Sequence, residues 1–257
     1  MLQVQLPAVS AWNLCLLGYP DRALERVHRA IAAARHSGSK PALEAAHEFA
    51  CEVYQLRGEV DRLRESAQAV TELATELGNP FRRFQSQIFL GWTEVIANDF
   101  EAGIPRMRHN LAESRSNGTV ARVAYNLAMI AVGLSKSGKT AEGLRVIEES
   151  LALVERTGEG VQEAEVHRLK GEMLLAQGFS NTRQAEHSFR TAIEISRKQH
   201  AKSWELRATT SLARLLVKQG RRNEACTMLA EIYNWFTEGF DTADLKDAKA
   251  LLDELGA

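Results

Sequence analysis

Residues 133–140 read GLSKSGKT and match the pattern G-x-x-x-x-G-K-[ST] of a phosphate-binding loop. In such a loop, Lys139 would contact phosphate oxygens and Thr140 would bind magnesium. That chemistry also requires a preceding β-strand and a parallel sheet around the loop. Residues 121–134 instead show a helical period, and Gly138 falls on a regular turn position described below. We therefore expect a turn between two helices, with a nucleotide-binding ATPase that uses Gly138, Lys139 and Thr140 as the alternative.

Two further groups of residues have the right types for metal binding but are incomplete. His47 and Cys51 lie four residues apart on one predicted helix, and His167 lies near Glu163 and Glu172. A structural metal site needs about four ligands, and no paired Cys-x-x-Cys or His-Glu-x-x-His pattern completes either group. We expect no metal, no cofactor and no catalytic residues, so the chain is not predicted to be an enzyme.

A local excess of positive charge lies near the end of the chain. Between residues 197 and 222 there are eight basic residues and one acid, Glu205, whereas residues 238–254 contain six acids and two lysines. One interpretation is that the basic stretch and the acidic segment neutralise each other. The other is an anion-binding groove wall, which would suit an acidic peptide, a phosphate group or a neighbouring domain.

Turn-forming residues recur along the whole chain at intervals of 40, 40, 40, 40 and 42 residues. Each follows one helical apolar pattern and precedes another, and a second set of breaks lies midway between them. The unit is therefore a helix, a short turn, a second helix and a longer turn. The six recurring turn residues are Gly18, Gly58, Asn98, Gly138, Gly178 and Gly220.

Alignment of these units reveals small residues at one position and large apolar residues at others. The position seven residues before the turn is always small, which permits close approach of the two helices. The position about nine residues after it is apolar in every unit. This alternation is typical of tetratricopeptide (TPR) repeats, and a HEAT-like array is the alternative. The small residues are Ala11, Cys51, Gly91, Ala131, Gly171 and Ala213.

The predicted fold is an all-α, TPR-like right-handed superhelical solenoid of about six hairpins in a single domain spanning residues 1–257. A helix over 241–255, capped by Asp241, is expected to cover its end through Leu245, Ala248, Leu252 and Leu255. Pro105 predicts a kink or a late start of its helix. The predicted repeats are 1–38, 39–78, 79–118, 119–160, 161–200 and 201–239.

At the N-terminal end, the first helix is expected to start near Met1, with Pro7 in its first turn. This end has no predicted cap. We expect either that further residues precede Met1 or that this end packs on something else.

The same register places a set of polar and aromatic residues on the first helix of each hairpin, on the side that a TPR array turns towards its groove. Tryptophan and tyrosine at such positions suit partner binding because they bury much area for little lost entropy. The candidate partner-binding residues are Trp12, Glu48, Glu52, Gln85, Trp92, Tyr125, Arg168, Glu172, Arg207, Arg214 and Lys218.

Composition excludes several other classes of protein. Of 257 residues, 45% are hydrophobic, which is too many for a disordered chain, and the net charge of −1 gives no general attraction to nucleic acid. Three scattered cysteines fit a reducing compartment. No apolar run approaches the roughly 20 residues of a membrane-spanning helix. We expect a cytoplasmic protein with a protein or peptide partner, and neither membrane nor nucleic-acid binding.

Four segments resemble one particular group of proteins: residues 164–175, 185–192, 203–215 and 235–252. They are similar to the C-terminal TPR region of large bacterial signalling proteins, which are predicted ATPases of the signal-transduction type with numerous domains. Many of these carry an adenylate/guanylate cyclase domain or a DNA-binding domain ahead of the ATPase. The resemblance is strongest from about residue 120 onwards and covers the repeat region alone.

The resemblance implies a regulatory sensor and scaffold whose ligand or partner controls an ATPase or cyclase, in cis or in trans. Any catalytic activity of such a system would reside in domains that these residues do not include. A free-standing TPR adaptor or peptide receptor is the further alternative.

Overall fold

The computed structural model describes residues 10–119 and 121–256, in which all regular secondary structure is helical. A 3₁₀ turn, Phe179–Asn181, lies between two of the α-helices. The α-helices are α1 (residues 10–16), α2 (Pro20–Ser37), α3 (Lys40–Arg57), α4 (Val60–Leu77), α5 (Pro80–Ile96), α6 (Phe100–Ser116), α7 (Val123–Lys136), α8 (Thr140–Thr157), α9 (Glu163–Gln177), α10 (Thr182–Lys198), α11 (Lys202–Lys218), α12 (Arg222–Tyr233) and α13 (Ala243–Leu255).

Contacts between Cα atoms group these helices into two compact units. The first unit holds the described residues up to 126 except 16–18, and the second holds 16–18 together with the residues from 127 onwards. In the first unit, consecutive helices from α2 to α6 pack on one another, and in the second unit consecutive helices from α8 to α13 do the same. Packing between neighbours in sequence confirms the predicted array of helical hairpins.

The predicted turn residues all adopt the left-handed backbone conformation with positive φ, from 65° at Asn98 to 142° at Gly178. At Gly58 (φ 76°) this conformation lets the amide of Glu59 donate to the carbonyl of Tyr54 at 2.9 Å, which satisfies a carbonyl left free by the end of α3. Gly38, Gly78, Gly118, Gly158 and His200, at the intermediate breaks, also have positive φ. The helices therefore end where the sequence predicts.

The small position on each first helix lies where two helices approach most closely. A Cβ added to Gly171 would lie 2.4 Å from the ring of Phe189 on α10, and one added to Gly91 would lie 2.7 Å from the Cγ of Met107 on α6. Both distances are below those that real Cβ atoms show, so alanine would force the helices apart. Cys51 and Ala131 occupy the same position in other hairpins and are fully buried.

The apolar position on each second helix forms the core of every hairpin. Side chains of this kind each contribute about 1.5–3 kcal/mol when buried, with less for alanine. Repetition of one buried position in six hairpins confirms the predicted register. The six residues, all fully buried, are Val27, Ala67, Met107, Ile147, Phe189 and Leu229.

The prediction of a late helix start near Pro105 is wrong. Helix α6 begins at Phe100, where the Asp99 side chain accepts from the amide of Ala102 at 3.1 Å, and it continues through Pro105 to Ser116. The proline ring lies on the exposed side.

Helix α13 covers the apolar end of α11 and α12 with one buried face. The predicted residues Leu245, Ala248, Leu252 and Leu255 are all buried there. The predicted cap is wrong by one residue, because Thr242 rather than Asp241 holds the N-cap position and the helix starts at Ala243. The expected first helix near Met1 and Pro7 lies outside the described residues.

Among the described residues, no helix combines the length and the apolar character needed to cross a membrane.

Candidate ligand-binding faces

Within each unit, the first helices of successive hairpins contact one another. Helix α3 contacts α5, α9 contacts α11, and α11 contacts α13, whereas no comparable contact joins successive second helices in the described ranges. The first helices therefore converge on one side of each unit, which we call its inner side. Nine of the eleven candidate residues from the sequence lie on these helices, whereas Trp12 lies on α1 and Tyr125 on α7.

The inner side of the first unit carries a network of ion pairs between different hairpins. Arg82 on α5 donates to Glu44 and to Glu48 on α3, at 2.7 Å each. Arg122, just before α7, pairs with Glu52 on α3. It reaches Glu52 past α5, where its guanidinium lies 5.5 Å from the ring centre of Phe89. Three successive inner helices are thus joined by buried charges, which require such partners in order to remain ionised.

This network holds one more carboxylate than guanidinium groups. Burial raises the pKa of Glu48 to about 6, against the opposing charge of Arg82, and the neighbouring Glu52 raises it further. Burial also raises the pKa of Glu52, opposed by Arg122. Glu48, on the inner side of this unit, therefore titrates closer to neutral pH than an ordinary glutamate does.

A pair of side-chain amides joins α5 to α7. The Gln85 amide donates to Asn126 at 3.3 Å, and the Asn126 amide donates back at 3.1 Å. Gln85 and Asn126 are only 4% and 2% exposed, so they hold the helices together and are closed to a ligand. Two other candidates, Glu52 and Tyr125, are also buried and closed to a ligand. Gln85, Glu52 and Tyr125 were all expected to contact a partner directly, and their burial contradicts this.

Trp12 and Trp92 are the two candidate aromatics on the inner helices of the first unit that remain partly exposed. They occupy the same register position as Glu52, six residues before their turn residue, on α1 and α5 respectively. An ion pair and two aromatic surfaces therefore share one row of this inner side. Tryptophan at such a position offers a large apolar surface beside polar groups.

Sequence reasoning missed four members of this network: Glu44, Arg82, Arg122 and Asn126. One signal was available, because Arg82 and Arg122 are separated by one repeat length of 40 residues. Their role depends on which carboxylates of other helices lie next to them, and the repeat register alone does not predict these partners.

The inner side of the second unit carries a second chain of ion pairs, centred on Glu165 of α9. Arg168 donates to both oxygens of Glu165 at 2.8 Å, and Arg207 on α11 lies 3.4 Å from Glu165. Burial opposes ionisation of Glu165, but the two guanidinium groups lower its pKa below the usual value. Arg207 also donates to Asp244 on α13 at 2.6 Å. Helices α9, α11 and α13 are thus linked through charges.

The basic stretch packs against the acidic C-terminal helix, as one of the two interpretations expected. Arg207 pairs with Asp244, and Arg214 pairs with Asp247. Arg197 and Lys202 both bond to Glu205 at 2.7 Å. Lys218, at the end of α11, is exposed. Arg197, Arg207 and Arg214 are therefore compensated by carboxylates, and these three arginines do not form an anion-binding wall.

A cleft of about 150 Å³ opens between α9, α11 and α13 on the inner side of the second unit. Ser211 on its wall donates to Glu172 at 2.6 Å, and Arg168 lies 3.4 Å from the same hydroxyl. The cleft brings together four of the predicted candidates: Arg168, Glu172, Arg207 and Arg214. Its remaining lining residues are Thr210, Ser211, Asp244 and Asp247.

The loop-like motif at 133–140 is a turn between helices, as expected. Gly133 to Lys136 lie in α7, Gly138 has φ 85°, and α8 begins at Thr140. No strand precedes the segment, so the surroundings that a phosphate-binding loop requires are missing from this described region.

The two incomplete metal patterns do not come together as sites. His47 is buried and its Nδ1 lies 3.2 Å from the Ser66 hydroxyl, and burial lowers its pKa. Cys51 is fully buried in packing, and His167 lies 4.0 Å from Glu163. No cluster of three potential metal ligands occurs within the described ranges.

Comparison with known proteins identifies the fold. No protein-family model and no curated protein matches the chain. The chain is similar to NprR solved in complex with its cognate peptide NprX, with a TM-score of 0.74 and 14% identity over 98% of this chain and 73% of that one. It is similar to a Rap protein complexed with competence and sporulation factor, with a TM-score of 0.66 and 13% identity over 98% and 80% of the two chains.

A third similar structure is a Signal Transduction ATPase with Numerous Domains that has a tetratricopeptide repeat sensor, from Pyrococcus horikoshii. Its TM-score is 0.53 at 13% identity, over 98% of this chain and 38% of that one. At these identities the likeness extends to the fold alone. The chain is a TPR-like helical solenoid, which confirms the predicted fold class.

Proposed function

We propose that this chain is a non-catalytic binding module that holds a peptide or an extended protein segment against the inner helices of its first unit. The observation that carries the proposal is the row formed by Trp12, Glu52 and Trp92 at one register position of successive hairpins. Glu52 is buried and paired with Arg122, and the two tryptophans at the same register position leave partly exposed aromatic surfaces. Such surfaces contribute most of the energy of binding in many protein interfaces.

Two features of this inner side favour an extended peptide over a small molecule. The buried ion pairs and the Gln85–Asn126 amide pair fix α3, α5 and α7 before any ligand arrives. A preorganised surface loses little entropy on binding, which favours a ligand that spans several hairpins. The solved NprR and Rap complexes with peptides, which share this fold, support the same choice.

We propose further that binding regulates a bacterial signalling ATPase or cyclase, in cis or in trans. The resemblance of the last two repeats and the tail to such proteins supports this role. So does the similar fold of the TPR sensor in the Pyrococcus horikoshii ATPase. A free-standing peptide receptor is the alternative, which the NprR and Rap complexes favour. The coding sequence around this chain distinguishes the two, because a fused ATPase or cyclase domain would support the first.

The experiment is selection of a displayed random-peptide library on the chain, followed by calorimetric titration of the selected peptides. We expect Trp92→Ala and Trp12→Ala each to weaken binding at least tenfold, because each truncation removes a large contact surface. Trp235→Ala provides the matched control, because Trp235 is also partly exposed but lies in the second unit.

Equal affinities of the Trp92 variant and the unmodified chain for every selected peptide would contradict the proposal. So would a library that yields no peptide of micromolar affinity. Circular dichroism of each variant establishes that the loss of binding is not a loss of fold.

A further inference from the structure

We infer that the cleft between α9, α11 and α13 binds a zwitterionic group, in which a carboxylate and a cationic nitrogen lie a few ångströms apart. A free amino acid carries such a group, and so does the C-terminal residue of a peptide that ends in lysine or arginine. The inference goes beyond the proposed function, which concerns the inner side of the first unit, because this cleft lies in the second unit.

The first argument is the balance of charge in the cleft. Three guanidinium groups and three carboxylates line about 150 Å³. The lining groups sum to zero, and groups of opposite sign lie next to one another around the space. A ligand with both charges therefore finds a complementary partner for each of them. The lining charges belong to Arg168, Arg207, Arg214, Glu172, Asp244 and Asp247.

The second argument is the bonding capacity left at the rim. Arg214 bonds to Asp247 through Nη2, and its Nε and Nη1 have no acceptor among the described residues. Glu172 bonds to Ser211 and Arg168 through Oε1, and its Oε2 has no donor among the described residues. A guanidinium edge is therefore available for a carboxylate, and a carboxylate oxygen for an ammonium.

The exposed groups at the rim of the cleft can exchange partners at little cost, whereas the deeper groups at its floor stay fixed. The side chains of Arg214, Asp247 and Glu172 are 45%, 50% and 44% exposed, and ion pairs of this exposure contribute at most about 1 kcal/mol. Arg168 and Arg207 lie deeper and are held by Glu165. A ligand at the rim thus meets a preorganised polar floor that includes the Ser211 hydroxyl.

Size and polarity restrict the ligand further. The cleft is smaller than the roughly 300–1,000 Å³ of sites that enclose a drug-sized molecule. All its lining side chains are charged or carry a hydroxyl, so an apolar ligand would leave them without hydrogen bonds. The space suits a single amino-acid residue.

The test is calorimetric titration of the full chain with three sets of probes. Glycine, lysine and arginine represent free amino acids, and acetate and methylammonium represent the two separate halves of the zwitterion. The tripeptide Gly-Gly-Lys, with a free or an amidated C-terminus, represents a peptide end. We expect at least one zwitterionic probe to bind at least tenfold more tightly than either half.

Three variants place the ligand in the cleft. Arg214→Gln and Asp247→Asn should each weaken binding at least tenfold, and the double variant Arg214→Asp with Asp247→Arg should do the same while keeping the ion pair between α11 and α13. Arg183→Gln is the control, because Arg183 is exposed on the second helix α10. Binding of the amino acids alone, or of the free tripeptide alone, would support the inference and identify the source of the ligand.

The inference is overturned if no zwitterionic probe binds more tightly than acetate or methylammonium, or if the three variants bind as the unmodified chain does. Neither result would affect the binding of the library-selected peptides or its dependence on Trp12 and Trp92. Failure of the cleft and failure of the proposed function are therefore distinguishable.

Discussion

At the scale of the residue, charge burial dominates both inner sides. Glu44, Glu52 and Glu165 are nearly inaccessible to solvent, yet each is bonded to an arginine of another helix or of the next turn. Removal of one partner from such a pair would leave an uncompensated buried charge, which costs more than the pair contributes. These residues therefore fix how neighbouring hairpins dock.

Glu48 gives the clearest prediction at this scale. Its folded pKa of about 6 exceeds the 4.5 of an ordinary glutamate, because burial disfavours its charge. Between pH 4.5 and 6 the folded state binds more protons than the unfolded state, so this residue lowers stability as pH rises. The Glu48→Gln variant lacks the effect. We expect its unfolding free energy, relative to that of the unmodified chain, to increase by up to about 2 kcal/mol from pH 4.5 to 7.

Urea unfolding at a series of pH values measures this difference, and subtraction removes the contributions of other groups. Among these are the buried His47 and the half-buried His167, whose lowered pKa values act in the opposite direction. Glu72→Gln, at an exposed position of α4, is the control. Its difference in unfolding free energy from the unmodified chain should not change with pH. A constant difference between the Glu48 variant and the unmodified chain would contradict the prediction.

At the scale of the element, α13 closes the apolar end of α11 and α12. Leu252 is buried in that contact, and leucine-to-alanine changes in cores cost about 2–5 kcal/mol. Since helices of a repeat array interact with their neighbours, the loss should act locally. We expect Leu252→Ala to increase amide hydrogen exchange in α11, α12 and α13 and to leave α3 to α5 unchanged.

Mass spectrometry of the exchanging amides reads each helix separately. Lys246→Ala, at an exposed position on the same helix, should leave all rates unchanged. An increase spread evenly from α3 to α13 would show that α13 does not act as a local cap.

The elements were largely predictable because their determinants are local. Turn residues, small positions and apolar stripes recur every 40 residues and specify where each helix ends and which side it buries. Two details were wrong: α6 begins before Pro105 rather than late, and Thr242 rather than Asp241 occupies the N-cap position of α13. The candidate sites were less predictable. Gln85 has the right register, but it is closed to a ligand because it pairs with Asn126 from a different hairpin.

At the scale of the whole molecule, the chain consists of two compact units built from the same hairpin. Each unit carries ion pairs between its inner helices and fully buried apolar positions between the helices of a hairpin. The two inner sides differ in what they expose, since the first presents tryptophans and the second a cleft of balanced charge. Ligands of different chemistry can therefore be assigned to different units and tested separately.

The architecture also predicts that the molecule does not bind nucleotide. A phosphate-binding loop works because successive backbone amides converge on the phosphates at the junction of a strand and a helix. Here the residues of the motif belong to the end of α7, a turn at Gly138 and the start of α8. We expect no binding of magnesium-ATP at micromolar concentrations, and no change when Lys139 is replaced by alanine.

Titration with a fluorescent ATP analogue in the presence of magnesium measures this directly, with Lys136→Ala as a matched exposed lysine on the preceding helix. Micromolar binding that Lys139→Ala abolishes and Lys136→Ala preserves would overturn the prediction and favour an ATPase. Equal weak binding by all three proteins would instead indicate a nonspecific attraction between phosphate and surface lysines, because screened charge attraction depends little on which lysine is removed. Because Lys139 lies on an exposed turn between two helices, equal weak binding by all three proteins is the strongest nucleotide binding that we expect from this fold.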